Sequence, residues 1–208
     1  MLRLRQGAAV QLFDGEGRRA AGVLREGGVV LVEHVAAAPP VPAPRVTLLC
    51  ALSKGDKVDL VVEKVSELGA VALRPVLCVR SVVKLDDERA ASRLDRWQRV
   101  AEAAARQCGR DHALVVLPAL AFDAALAADT SDHRRILEPG APPLSAGLPP
   151  DATTVALFTG PEGGFDPGEL ERAERAGFQR AGLGPLTLRA ETAPLVALAA
   201  VLARAGRL

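Results

Sequence analysis

Val155-Ala156-Leu157-Phe158-Thr159-Gly160-Pro161-Glu162-Gly163-Gly164-Phe165 is the stretch that decides the fold of this chain. Its first four residues form a short apolar run of the kind a strand buried on both faces needs. The glycines and proline that follow break the strand and open a loop. Beyond them, Asp166-Pro167-Gly168-Glu169 starts a helix: Asp166 caps it, Pro167 fits the first turn and Glu169 reaches back to the cap. Gly177 stops that helix. Strand, glycine loop and helix in this order are the repeating unit of an α/β sheet.

A second loop of the same character follows. Leu183-Gly184-Pro185 leads through Leu188-Arg189 to Glu191-Thr192-Ala193-Pro194 and a final apolar helix. Each loop places small residues at the carboxyl end of a predicted strand, where an open α/β sheet holds its ligand. Small residues let a ligand approach the backbone, so that amides and carbonyls can read it. An ordinary strand-to-helix turn explains either loop alone. Two together point to a shared site.

Upstream, Arg45 to Leu52 reads as a buried strand, and Asp56 caps a helix carrying Val58, Val61, Val62, Val65 and Leu68 on one stripe, ended by Gly69. Val71 to Leu77 is a further strand. Arg89 to Cys108 is a longer helix with Leu94, Trp97, Val100 or Ala101, and Ala104 inward, ended by Gly109. Leu114 to Leu117 and Arg134 to Leu137 read as strands around a short helix from Phe122 to Ala128, and Pro139 to Asp151 is a proline-rich loop. Residues 1 to about 36 differ: runs at Ala8 to Phe13, Arg18 to Leu24 and Val29 to Val35, separated by Asp14-Gly15 and Gly27-Gly28, suggest a small β unit. Ala36 to Pro44, rich in Ala and Pro, reads as a semi-rigid linker.

Composition bounds the function. The 208 residues are 49% hydrophobic, enough for a real core, and the formal net charge is +1, so no global basic field marks a nucleic-acid binder. Of the 26 basic residues all but four are Arg, which suits phosphate recognition. Genome composition accounts for that bias equally well. With no Tyr, one Trp and five Phe, a stacking ladder for single strands is lacking, and any RNA contact falls to Arg, backbone and shape. Cys50, Cys78 and Cys108 lack metal-type spacing and read as reduced core residues of a cytosolic protein. No apolar run approaches a membrane span and the first residues do not form a signal peptide.

Familiar chemistry is absent from the pattern. There is no G-x-G-x-x-G after a first strand and no G-x-x-x-x-G-K-[ST], so dinucleotide and P-loop readings are weak. His34, His112 and His133 have no ligand-like spacing, which argues against a metal site, and no Ser or Cys sits in a nucleophile pattern. Glu162, Arg189, Glu191 and Thr192 are the polar groups beside the loops; helix capping and catalysis are compatible roles for the last two. Arg106-Gln107-Cys108-Gly109-Arg110 alone reads as a solvated helix end.

Together, Ser53 to Lys57, Glu63 to Gly69, Arg80-Ser81-Val82-Val83, Arg96-Trp97, Ala103 to Arg110, Gly160 to Phe165 and Leu183-Gly184-Pro185 through Leu188 to Ala193 resemble the bacterial 16S ribosomal RNA uracil-N3-methyltransferases of the SPOUT superfamily. The segments run in that family's order from about residue 45 to the end. The resemblance implies a SPOUT-type α/β sheet with a C-terminal deep trefoil knot over 45–208, which periodicity could never show. Ahead of it, over 1–40, it implies a small PUA-like β-barrel. It further implies a cytoplasmic homodimer acting on the small ribosomal subunit, with S-adenosylmethionine bound in the knot loops and no metal. Carried over, Thr159, Gly160, Glu162, Gly163, Leu183, Gly184, Leu188 and Ala193 line the cofactor. Because the imide proton of uracil N3 must leave, Arg110 and Arg189 are the expected groups to orient the base or its phosphate and stabilise charge, and Glu191, with Glu162 as the alternative, is the candidate proton acceptor.

The chain departs from that family where Leu186 stands for Arg, Ala190 for Thr and Cys108 for the more common Ser. At the N-terminus, Leu2 to Gly7 and Leu12 to Gly15 resemble the interior of the PUA-like barrel without its first strand; a start upstream of Met1 is the expected explanation. Two rival readings remain: a SPOUT enzyme with another RNA target, and a catalytically inactive RNA-binding or assembly factor.

Overall fold

The computed structural model describes residues 4–53, 57–81 and 87–208. Lys54, Gly55 and the expected cap Asp56 lie outside these residues, as do Val82 and Val83. The N-terminal residues form an antiparallel sheet of three strands in sequence order, β1 (Ala9–Phe13), β2 (Arg18–Leu24) and β3 (Val30–Ala37). Pairing of β2 with β3 is interrupted by an irregularity between Ala21 and Gly22, where Gly22 has Leu31 backbone against its α-carbon. A Cβ there would lie 2.4 Å from the Leu31 carbonyl oxygen, so only glycine fits.

The remaining strands build one parallel sheet of seven: β4 (Arg45–Ala51), β5 (Ala72–Leu77), β6 (Val115–Val116), β7 (Leu120–Ala121), β8 (His133–Leu137), β9 (Thr154–Thr159) and β10 (Gln179–Ala181). The order is β10-β8-β9-β4-β5-β6, with β7 also pairing β5. Because β5 and β6 extend from β4 on one side and β9, β8 and β10 on the other, the order reverses between β4 and β9. Such a reversal leaves a crevice at the carboxyl ends of the strands.

Helices cover both faces. On one face α1 (Lys57–Leu68), α2 (Asp87–Cys108) and α5 (Ala193–Arg204) bury Val61, Val65, Trp97, Leu198 and Leu202 against Val46, Leu48 and Leu157. On the other, α3 (Phe122–Ala128) and α4 (Pro167–Arg175) cover Leu49, Ile136 and Phe158. Four of the five phenylalanines meet there, the Phe158 ring lying 5.0 Å from Phe165, 5.2 Å from Phe122 and 6.2 Å from Phe178. Such aromatic pairs add to the burial of their area. Phe165 thereby anchors the end of the first glycine loop.

Local signals set the element ends as expected. Asp166 accepts from Gly168 N–H at 3.0 Å while Glu169 accepts from Asp166 N–H at 2.9 Å, a complete capping box. Gly69, Gly109 and Gly177 close α1, α2 and α4 at positive φ. Thr192, by contrast, sits at the start of α5 with helical dihedrals and no side-chain cap bond. The proline-rich segment after β3 is tied down rather than free: Arg207 donates to the carbonyls of Pro42 and Pro44, at 3.0 and 2.9 Å, and the His112 ring lies 2.9 Å from the Pro39 carbonyl. The three-stranded sheet joins the larger one through Gly17 N–H to Asp111 carbonyl and Ala113 N–H to Gly15 carbonyl bonds of 3.2 and 2.9 Å.

One expectation about the cysteines is corrected. Cys50 and Cys78 are buried, but Cys108 is exposed in the last turn of α2, where Arg106, Gln107 and Gly109 are exposed as well. Burial pushes the Cys50 thiol up to about 12, and burial with the nearby Glu169 charge raises Cys78 as well. Only a thiolate alkylates readily. Iodoacetamide in mild alkali is therefore expected to label Cys108 quickly and the other two only after unfolding. Peptide mapping by mass spectrometry checks this, and early label on Cys50 would refute it.

Candidate functional site

The first glycine loop leaves β9 at Thr159 and turns at Gly164, whose N–H donates to the Pro161 carbonyl at 2.9 Å. Gly160 packs under the Phe165 ring: a Cβ would meet it at 3.1 Å, and the ring is held by its aromatic neighbours. The second loop leaves β10 through Gly182 and runs to α5. Among the described residues, the stretch Leu183 to Ala190 makes no backbone–backbone hydrogen bond except those that Arg189 accepts from Thr192 and Ala193. Those of its peptide groups that have no partner among the described residues suit a ligand or water.

Between the two loops lies a cavity of about 650 Å³. Its walls come from the carboxyl ends of β8, β9 and β10 and the start of α5. Leu137, Leu170, Leu183, Leu188 and Ala193 make an apolar side; Lys57, Glu138, Glu162 and Arg189 supply charge. That balance of apolar lining and few polar groups is typical of a small-molecule site. A second cavity, about 270 Å³, opens near the amino ends of β4 and β9 and is lined by none of the expected cofactor or catalytic residues.

A short ionic chain crosses the mouth of the larger cavity. Lys57 Nζ lies 2.8 Å from Glu162 Oε1 and 3.5 Å from Glu191 Oε2, while Arg189 lies 3.9 Å from Glu191 Oε1. One ammonium on α1 thus ties the first loop to the second. The Glu162 carboxylate holds the Lys57 ammonium above the usual lysine range, with desolvation opposing. Glu191 is the sheltered member: its side chain is 15% exposed, and its buried Oε2 is met among the described residues by the Lys57 ammonium at 3.5 Å, too long for a well-formed hydrogen bond. A buried carboxylate oxygen held by so long a contact keeps acceptor capacity for a closer donor.

Of the residues expected around a cofactor, Gly160, Glu162, Gly163, Leu183, Gly184, Leu188 and Ala193 line this cavity. Thr159 sits just behind it, buried at the end of β9 with its hydroxyl donating to the Leu49 carbonyl at 3.5 Å. Arg189 and Glu191 stand at the mouth. Arg110 is elsewhere: its guanidinium donates to the carbonyls of Ser66 and Ala70, closing the carboxyl end of α1, the end away from Lys57. Leu186, exposed at 76%, forms part of the rim.

Lys57 and Glu138 were not singled out from sequence as site residues. Lys57 opens the helix after β4 and Glu138 follows β8, so the rule that ligands sit beyond strand carboxyl ends would have reached both.

A family model described as an RNA methyltransferase domain matches residues 40–202. The ribosomal RNA small subunit methyltransferase E of Bacillus subtilis is 35% identical over 167 residues, 76% of this chain and 65% of the relative. The protein of the same name from Synechocystis is 34% identical over 97% of this chain and 68% of the relative. Among solved structures, a ribosomal RNA small subunit methyltransferase E from Neisseria gonorrhoeae bound to S-adenosyl methionine superposes with a TM-score of 0.86 at 33% identity, covering 97% of this chain and 85% of that one. The fold, the matched domain and a third of the residues shared along nearly the whole length agree: the chain belongs to the RNA methyltransferase domain family, among the ribosomal RNA small subunit methyltransferase E proteins.

Proposed function

We propose that this chain methylates N3 of a specific uridine in the 16S ribosomal RNA of the small ribosomal subunit, using S-adenosylmethionine. The observation that carries the reading is the cavity between the two glycine loops with the sheltered Glu191 carboxylate beside it. The residues present fit the cofactor: apolar walls and unpaired backbone groups suit an adenosine, and mixed charges suit an amino-acid end. Gly160, Glu162, Gly163, Leu183, Gly184, Leu188 and Ala193 would hold it, with Thr159 behind them. When bound, S-adenosylmethionine supplies an electrophilic methyl group on a sulfonium.

The chain's own part is to position the base and move one proton. Uracil N3 carries an imide proton and becomes nucleophilic only as that proton leaves. Glu191, whose Oε2 faces Lys57 at a long 3.5 Å, takes it; Glu162 is less suited because the same ammonium holds its carboxylate more closely, at 2.8 Å. Arg189, 86% exposed beside Glu191, meets a carbonyl of the ring or a neighbouring phosphate and stabilises developing charge. Within one chain Arg110 serves the end of α1, so any contact with the reacting base would come across a subunit interface.

The homodimer belongs to the same reading, supported by exposed apolar residues on α1, α5 and the second loop, namely Leu60, Val196 and Leu186. So does a deep trefoil knot over 45–208, supported by the wedging of the chain after β10 against residues 141–144. The three antiparallel strands within 1–40 support a PUA-like RNA-binding unit. A small-subunit target places the protein in the cytoplasm; among the described residues no helix is long and apolar enough to cross a membrane. No group of three or more His, Cys, Asp or Glu suited to a metal occurs among them either.

The test is transfer of labelled methyl from S-adenosylmethionine to small subunits lacking the modification. Primer extension then maps the site, because N3 methylation blocks pairing. Label at another position or in another RNA would favour a different target. Folded protein that neither transfers nor binds S-adenosylmethionine would be a binding factor instead. Leu186→Arg gives a finer check, since it adds a cation at an exposed rim position. It is expected to lower KM for the subunit severalfold and leave cofactor affinity unchanged, and an unchanged KM would detach that position from RNA.

A further inference from the structure

A polar clamp outside the cavity grips the first glycine loop from behind. The turn after β5 carries Val79 and Arg80. Arg80 Nη1 donates to the Gly163 carbonyl at 2.9 Å, and Nη2 lies 3.7 Å from Asp166. Beneath it, Glu169 is fully buried with both oxygens used: Oε1 accepts from Val79 N–H at 2.8 Å and Oε2 from Asp166 N–H at 2.9 Å. A capping box needs only the second of these bonds. The first joins the turn after β5 to the start of α4, across 90 residues of sequence. The site of a Cβ on Gly163 is 3.4 Å from Arg80 Cδ, so the arginine stem lies directly on the glycine backbone.

Gly163-Gly164 is the most adaptable dipeptide of the loop, and glycine loses the most freedom when ordered. A ligand that needs this loop in one conformation gains affinity when something else has already fixed it. Arg80 supplies a charge-assisted bond to the Gly163 carbonyl, beside the Gly164 N–H to Pro161 carbonyl bond of the turn, and Glu169 sets the turn that presents Arg80. We propose that Arg80 is a positioning residue for the methyl donor: it preorganises the Gly163 peptide and so sets cofactor affinity without touching the cofactor. This rests on the reading that the cavity takes S-adenosylmethionine.

The clamp is testable because Arg80 is 46% exposed and Arg80→Ala should fold. Calorimetry with S-adenosylmethionine is expected to show affinity about ten- to a hundredfold weaker, the range of one charge-assisted bond. Turnover at saturating cofactor should stay within about threefold of wild type, a split that general damage would not give. Arg80→Lys, which keeps one donor, should recover part of the affinity. In ligand-free protein, amide exchange in peptides covering 160–165 should quicken in Arg80→Ala while the melting temperature holds. Unchanged affinity and exchange would overturn the proposal. So would a fall in melting temperature that Arg80→Lys fails to restore. Wild-type protein that folds but binds no S-adenosylmethionine would instead sink the cofactor reading, and the exchange data would still judge the clamp.

Discussion

Glu191→Gln is expected to reduce turnover by about two to four orders of magnitude, the usual worth of a positioned proton acceptor. Cofactor binding should survive. The substitution keeps shape and volume but replaces the acceptor Oε2 with a group that cannot take a proton at neutral pH. Glu191 is nearly enclosed, and its charge is compensated at the edges by Lys57 at 3.5 Å and Arg189 at 3.9 Å. Removing the charge leaves Lys57 its shorter bond to Glu162, so the α1 link to the first loop persists. Single-turnover transfer with saturating S-adenosylmethionine isolates the chemical step, and calorimetry reports binding. Transfer at the wild-type rate would remove Glu191 from the chemistry and shift attention to Glu162 or an RNA group.

The parts of the site that were legible in sequence are those whose causes are local. Asp166, Pro167 and Glu169 specify their helix start through contacts within three residues, and the structure shows each bond. Gly69, Gly109 and Gly177 mark helix ends because only glycine adopts the left-handed conformation cheaply. The strand-end rule placed both loops on one cavity. What was not legible depends on residues far apart in sequence. Lys57 reaches Glu162 across 105 positions and Arg80 reaches Gly163 across 83; no periodicity encodes either. Arg110 shows the reverse case. Its neighbourhood suggested a solvated helix end and the proposed chemistry a role at the base; within one chain the guanidinium closes α1 by binding two carbonyls, a contact that sequence spacing does not encode. Glu169 looked like a capping residue alone; its second bond, to Val79, depends on how two βα units pack.

Gly182→Ala should have the largest effect on stability of any single methyl group added near the site. Gly182 follows β10 and lies against the proline-rich segment: its N–H donates to the Pro142 carbonyl at 2.7 Å and its carbonyl accepts from Leu144 N–H at 2.9 Å. A Cβ would stand 2.5 Å from the Ala141 carbonyl oxygen and 3.3 Å from its carbon. These are backbone atoms, so no rotamer change relieves the clash, and either β10 or residues 141–144 must move. Both hydrogen bonds would then weaken, each worth about 1 kcal/mol, beyond an overpacking cost of about 1–3 kcal/mol. A loss of roughly 3–5 kcal/mol is a large share of the about 5–15 kcal/mol that holds a domain folded. At about 2–4 °C per kcal/mol for a chain of this size, the melting temperature should drop by roughly 6–20 °C. The displacement also spreads the cavity, because Leu183 and Gly184 on one wall and Glu138 and Pro139 on another flank the contact. Gly184→Ala makes the informative comparison: its φ of +113° strains a side chain, yet nothing stands within 4 Å of the new Cβ. It should therefore melt closer to wild type while still weakening S-adenosylmethionine binding. If Gly182→Ala melts within about 2 °C of wild type, too little for even 1 kcal/mol, the close crossing of β10 under residues 141–144 is wrong, and with it the support that crossing lends to a knotted chain.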